Sequence, residues 1–577
     1  MKNIKTFIII VFSILNFSAC NTPEPIDQDG TMLWLANGRS YKEVLASVET
    51  RIDSTLSKEE YHIYDANGKR YIDGGSQAAI RYGVYALQRA EVLGKADAGL
   101  DIHEKPYYEY RILNHWDNLV DTVERGYAGL SMWEWTAKEI PTERIHHYGE
   151  LCASVGLNGA VLNNVNANPL ILDKEHIERV AQIANILREY GITTYLSIKW
   201  TSPVTLDGLK SGDPLDPKVR QWWKNKAAEI YTAIPDFGGF LVKANSEGQA
   251  GPQDYGRTHA DGANMLAEAV APYGGIIMWR AFVYNPTSSD RANQAVEEFK
   301  SLDGQFADNV IIQIKNGPID FQPREPFSPL FGQLYNTPMM MEFQITQEYL
   351  GFSNHLVYHG TTYEECLDSD TYRDGKGSTV AKMVKAIAGV ANTGQDPNFC
   401  GYIFAQSNWY AFGRLAWDPT LSAEQIANEW IRQTFIKPKG ITPTAYEQNF
   451  LIPVKDMMMS SRETAVNYMM PLGFHHIFGG SHYGPGPWEN SIRRPDWSPV
   501  FYHKADKNGV GFDRSSKGTN AVSQYREPYR SMFDNLQTCP DEYLLWFHHV
   551  PWDYKLSNGD TLWDELCALY YRDRKST

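Results

Sequence analysis

Residues 159–165 read Gly-Ala-Val-Leu-Asn-Asn-Val, residues 193–200 read Thr-Thr-Tyr-Leu-Ser-Ile-Lys-Trp, and residues 238–245 read Gly-Gly-Phe-Leu-Val-Lys-Ala-Asn. Each is a short β-rich run, and the amphipathic stretches Lys174–Tyr190 and Pro217–Ile234 lie between them with helical spacing. Strand, helix, strand, helix, strand is the unit of a parallel sheet. Outward from this core the same alternation predicts strands at Tyr110–Trp116, Gly275–Val283, Val310–Lys315, Met339–Gln344 and Gly401–Gln406. Eight strands alternating with helices predict an α/β fold with a central (β/α)8 TIM barrel over residues 106–441. A doubly wound open sheet would want a Gly-rich phosphate loop after its first strand, and the sequence has none.

The flanks differ from this pattern. Residues 31–105 predict a small N-terminal α/β domain. Two strand-like pieces between Tyr61 and Tyr71 surround an Asn67-Gly68 turn, and a helix runs from Ser76 toward Leu93 with Ile80, Val84 and Leu87 on one stripe. From about Thr442 the chain turns to helical stretches broken by aromatic, Gly- and Pro-rich loops such as Ser481–Trp488, so residues 442–577 predict a mainly α-helical C-terminal domain. At the other end Lys2 and Lys5 precede an apolar run, Phe7–Phe17, too short to span a bilayer. It leads into Phe17-Ser18-Ala19-Cys20, which resembles the lipobox of bacterial lipoproteins. The expectation is a signal peptide over residues 1–20, lipidation of Cys20 and a tether over 21–30, giving an exported protein held at a membrane in the periplasm or on the cell surface.

A chain of 577 residues is too long for one ordinary core. With 43% hydrophobic and 21% charged residues it reads as globular. A net charge of -15 argues against a nucleic-acid partner, which needs clustered Lys and Arg. The 16 Trp and 34 Tyr suit either a core or a sugar site, since sugar faces present C–H groups to aromatic rings. Cys152, Cys366, Cys400, Cys539 and Cys567 are widely spaced, and the histidines fall in adjacent pairs that do not face one ligand, so no metal or other cofactor is expected.

Reactive groups in a barrel sit at the carboxyl ends of strands. Alternation puts Lys243, Asn245 and Glu247 on one face at the end of the fourth strand, with Gly248 next to them. The fifth strand ends on Arg280, the sixth carries Lys315 with Asp320 just beyond, and Glu348 follows the seventh. Any one of these could serve a salt bridge. Three carboxylates and three cations on four consecutive strand ends point instead to chemistry. A pair of carboxyl groups breaks glycosidic bonds, and the cations suit a sugar that itself carries a carboxylate. Spacing leaves retention and inversion both open.

Longer motifs then carry a resemblance. Arg111–Asn118, Glu124–Gly129, Val161–Ala167, Lys243–Gln249 and Lys315–Phe321, with Ser461-Arg462-Glu463, Pro471–Gly473, Gly511–Arg514 and Trp546–Tyr554 farther on, resemble glycoside hydrolase family 67, the α-glucuronidases, from about Tyr61 to Tyr570. The resemblance implies an inverting hydrolase that removes glucuronic acid, or its 4-O-methyl form, from the α-1,2 bond to xylose in xylo-oligosaccharides during xylan degradation. It implies that Glu247 is the general acid and that Asp320 and Glu348 hold the attacking water, either one taking its proton. Lys243, Arg280 and Lys315 would bind the uronate, Trp116 would contact the sugar and Val165 would pack near O4. The N-terminal domain is shorter than usual in the family, and relatives commonly continue past Thr577. These departures bear on oligomeric state, with a second copy of the chain as a candidate partner, and leave the site residues untouched. Competing readings are another barrel glycosidase, hexosaminidase-like or acting on a different acidic glycan, and a surface glycan-binding lipoprotein that has lost catalysis.

Overall fold

In the computed structural model of the chain, which describes residues 33–97, 99–245, 249–281, 290–350, 356–475, 489–490 and 498–574, eight parallel strands close on themselves. In chain order the strands are β1 (Glu49–Ile52), β2 (Tyr61–Ala66), β3 (Lys69–Gly74), β4 (Asp101–Glu104), β5 (Tyr110–Asn114), β6 (Gly159–Val161), β7 (Thr193–Ile198), β8 (Gly239–Val242), β9 (Ile276–Arg280), β10 (Val310–Lys315), β11 (Met339–Gln344) and β12 (Ala386–Val390). Strands β5 to β12 pair with their sequence neighbours, and β12 pairs with β5 to complete the barrel. The helices between them follow local rules. Asp173 caps Lys174–Glu189 by accepting from the His176 amide, and Ile177, Val180, Ile183, Ala184 and Leu187 form its buried stripe. Asp216 caps Pro217–Ala233, which starts on a proline suited to the first helical turn.

The eighth strand departs from the expectation. Gly401–Gln406 is not a strand; it leads into the helix Ala405–Trp417, and the barrel closes through Ala386–Val390. The run Ala-Ile-Ala-Gly-Val is three-fifths Ala and Gly, residue types depleted in strands. Its glycine answers a packing demand, since a Cβ on Gly389 would lie 2.6 Å from Ile345 Cδ1 and 3.0 Å from the Phe412 ring. The strands β5, β6, β7, β8 and β9 also stop short of their predicted ends, because the chain leaves the ladder there to build the mouth of the barrel.

The barrel is filled. Ile112, Val161, Tyr195, Leu241, Met278 and Met340 belong to one buried cluster that extends up to Trp116, Val165, Phe321 and Tyr349. A four-stranded sheet of order β1-β3-β2-β4 precedes the barrel, and Glu59, two residues before its β2 strand, reaches Arg111 on β5 and Asn158 just before β6. Its β2–β3 hairpin turns through Asn67 (φ 53°) and Gly68 (φ 72°), the two positive φ values of a type I′ turn. Just before β2, Glu59 Oε1 accepts a 2.7 Å hydrogen bond from Arg111, whose side chain is wholly buried on β5. At the other side, the helices Ile452–Met469 and Leu562–Arg574 pack on each other. Arg514 and Asp290, both fully buried, join the C-terminal region to the segment after β9 at 2.7 Å. Among the described residues no helix is long and apolar enough to cross a membrane.

Candidate active site

Lys315, the last residue of β10, is a cation in a buried position, which is costly without a partner. Its ammonium donates to Asp320 Oδ1 and lies 4.5 Å from the centre of the Phe321 ring. Burial pulls Lys315 down to about 8, with the Asp320 carboxylate resisting and the Arg280 charge adding to the fall. Burial would raise Asp320, but the Lys315 charge and hydrogen bond, Arg291 and the Tyr349 hydroxyl outweigh it and hold this carboxyl well below the usual range. The direction for the pair is therefore a carboxylate at neutral pH. Tyr349 donates to Asp320 Oδ2 at 2.8 Å and directly follows Glu348 in sequence, so one contact draws the two predicted carboxylates to the same mouth.

The loop bearing Asp320 is organised from behind by Glu325. This buried carboxyl accepts the backbone N–H groups of Ile319 (2.9 Å), Asp320 (3.3 Å) and Gln322 (2.6 Å). Burial still pushes it up to about 7 against those bonds. Glu348 is held at both oxygens: Arg125 Nε donates to Oε1 at 2.9 Å and Gln344 Nε2 to Oε2 at 2.6 Å.

The other predicted cations stand on the adjacent strands. Lys243 follows β8, is 4% exposed, and donates to Asn166 Oδ1 at 2.7 Å. Arg280, at the end of β9, forms a buried ion pair with Glu342 of β11 (Nε to Oε2 3.1 Å), so part of its charge is neutralised within the barrel. Asn245 is half-buried and left-handed, with φ 54°. Trp116 and Val165 lie in the apolar cluster with Phe321, Tyr349 and Leu350. The Trp116 indole N–H is buried and has no hydrogen-bond acceptor among the described residues. Glu247 and Cys20 lie outside the described residues. Among the described residues, no group of three or more His, Cys, Asp or Glu could hold a metal ion.

Sequence reasoning missed Arg125, Asn166, Glu325, Glu342 and Tyr349. Glu342 carried a signal, a lone charge inside the run Met339-Met340-Met341-Glu342-Phe343, where only a paired group is tolerated. Arg125 sits inside a motif already singled out, but nothing local ties it to Glu348, 223 residues away.

A filled (β/α)8 barrel with paired carboxylates and cations at its carboxyl mouth is an architecture of the glycoside hydrolase type. The chain belongs to glycosyl hydrolase family 67: residues 92–399 match the middle domain of that family and residues 400–577 its C-terminus. It is 41% identical over 543 residues to Alpha-glucuronidase A of Emericella nidulans, a match covering 90% of this chain and 62% of that protein. It is likewise 41% identical to Alpha-glucuronidase A of Aspergillus tubingensis over 81% of this chain and 56% of the relative. The chain thus spans less than two thirds of the length of these curated relatives. A solved structure of a glycoside hydrolase family 138 enzyme targeting pectin rhamnogalacturonan II shares the fold, with a TM-score of 0.52 at 13% identity, covering 92% of this chain and 66% of the other.

Proposed function

We propose that the protein is an inverting α-glucuronidase that hydrolyses the α-1,2 bond between glucuronic acid, with or without a 4-O-methyl group, and xylose in xylo-oligosaccharides. The observation that carries this reading is the buried Lys315–Asp320 pair, tied through Tyr349 to the segment bearing Glu348, in a mouth that also holds Lys243 and Arg280. Family membership and relatives named as α-glucuronidases support it. In the proposed reaction the Glu247 carboxyl gives its proton to the xylose O2 as the C1–O2 bond breaks. A water held by Asp320 and Glu348 attacks C1 from the opposite face and yields its proton to one of them. The lowered titration of Asp320 suits a group that must stay ionised. Lys243, Lys315 and Arg280 take the uronate by charge-assisted hydrogen bonds. Trp116 offers its indole N–H to a sugar hydroxyl, Val165 packs near O4, and Asn245 contacts the substrate.

Export and membrane attachment through a lipidated Cys20 belong to the proposal on the strength of the leader sequence, and metabolic labelling with palmitate of the chain and of Cys20→Ser tests them. A second copy as partner is tested by light scattering. The central test is incubation of the chain without residues 1–20 with aldouronic acid oligosaccharides, followed by NMR. Free glucuronic acid appearing first as the β-anomer is the expected result. The α-anomer first would overturn inversion, and no release from a folded sample would overturn the activity.

A further inference from the structure

The loop that leaves β5 carries one member of the site, touches a second and reaches a third through Asn166. Trp116 stands at its start, and the Trp116 carbonyl accepts the Glu124 N–H at 2.9 Å. Glu124 Oε2 accepts from Asn164 Nδ2 at 2.8 Å and from Asn166 Nδ2 at 3.1 Å. Asn166 in turn accepts from Lys243. The next residue goes elsewhere. Arg125 has φ 57°, a left-handed conformation that non-glycine residues keep only where the surroundings hold it. Its guanidinium reaches Glu348, while Asn392 Nδ2, from the loop after β12, donates to the Glu124 carbonyl at 2.6 Å and pins the peptide between the two side chains.

We infer that Glu124 and Arg125 form a two-armed positioning brace, in which Arg125 orients Glu348 toward the attacking water and Glu124, through Asn166, holds Lys243 against the uronate. The inference rests on the α-glucuronidase reading. One bond from Arg125 to Oε1 and one from Gln344 to Oε2 fix the plane of the Glu348 carboxylate. Arg125 is 38% exposed, which places its arm at the solvent edge of the mouth. The Glu124 arm acts on a group proposed to bind ground state and transition state alike, and the Arg125 arm acts on the group proposed to hold water. The two arms therefore separate in kinetics.

The experiment compares the full chain with Arg125→Ala, Arg125→Lys, Glu124→Gln and Glu124→Ala on aldouronic acid oligosaccharides, with melting temperatures measured alongside. Arg125→Ala is expected to lower kcat on the order of 10- to 100-fold with KM nearly unchanged, to be partly rescued by added guanidinium ion, and to be milder as Arg125→Lys. The Glu124 variants are expected to raise KM, and to weaken calorimetric binding of free glucuronate, roughly tenfold with little change in kcat. Unchanged kinetics, or kcat and KM falling together with the melting temperature and without rescue, would overturn the brace. A wild-type chain that releases no uronic acid but binds glucuronate would sink the reaction and the Arg125 arm, and binding by the Glu124 variants would still decide the other arm. A chain that neither acts on nor binds glucuronate would overturn both readings.

Discussion

Lys315 is a lysine whose charge depends on a single neighbourhood. Burial favours its neutral form and Asp320 favours the ammonium, leaving it near 8 rather than at the usual 10.5. Such a group is charged below its pKa and neutral above it, so the proposed attraction for a uronate is largely present at neutral pH and fades as pH rises through about 8. The expected outcome is an alkaline limb in kcat/KM near that pH, and its disappearance in Lys315→Arg, because guanidinium does not titrate in this range. A limb that survives that substitution would assign it to another group. Glu325 offers a second test at this scale. Replacement by Gln keeps the size but sets an amide against one of three N–H donors, at a cost of roughly 1–3 kcal/mol. The expected result is a lower denaturation midpoint and a lower kcat, since the Asp320 loop loses its anchor; an unchanged kcat would show that the loop keeps its shape without it.

Strands and loops divide what could be read from sequence. The runs Val310–Lys315 and Met339–Gln344 are mostly apolar, bounded and correct to the residue, because a strand buried on both faces keeps only a few polar positions, here Gln313, Lys315, Glu342 and Gln344. Ala386–Val390 was illegible for a different reason: a glycine stands at 389 because Ile345 and Phe412 fill the space around it, and only the fold shows that. The site divides the same way. Charges at strand ends stand out in a linear string, whereas the partners that orient them, Tyr349 for Asp320 and Arg125 for Glu348, depend on loops meeting in space. Gly389→Val should therefore cost about 1–3 kcal/mol by overpacking, with Gly389→Ala milder, read as a shift in urea midpoint. Ile345 precedes Glu348 by three residues, so kcat should fall with stability; a fully stable Gly389→Val chain would mean that this contact relaxes freely.

Across the whole molecule, the barrel and the C-terminal region are joined by a charge pair from which water is excluded. Asp290 both accepts from Arg514 and caps the helix Arg291–Phe299 through the Ala292 N–H. Asp290→Asn removes the charge and sets an amide N–H group against donors that one carboxylate oxygen accepts, so it breaks the ion pair together with part of its hydrogen bonding. Leaving the Arg514 guanidinium without its counter-charge should destabilise the chain by about 3–5 kcal/mol, measured by chemical denaturation. A loss under about 1 kcal/mol would show that His475 and the carbonyl of Trp546 suffice for Arg514.

The filled lumen, backed by the small sheet and the Glu59–Arg111 contact, makes the barrel a cul-de-sac. A cul-de-sac has one doorway, so arrivals and departures share it. Among the described residues the lumen leaves no through-path for a polymer; on the proposed reading a branched chain would dip a tip inside while its trunk stays outdoors. On that reading a severed tip would back out before the next could enter, and the freed sugar would compete for the doorway.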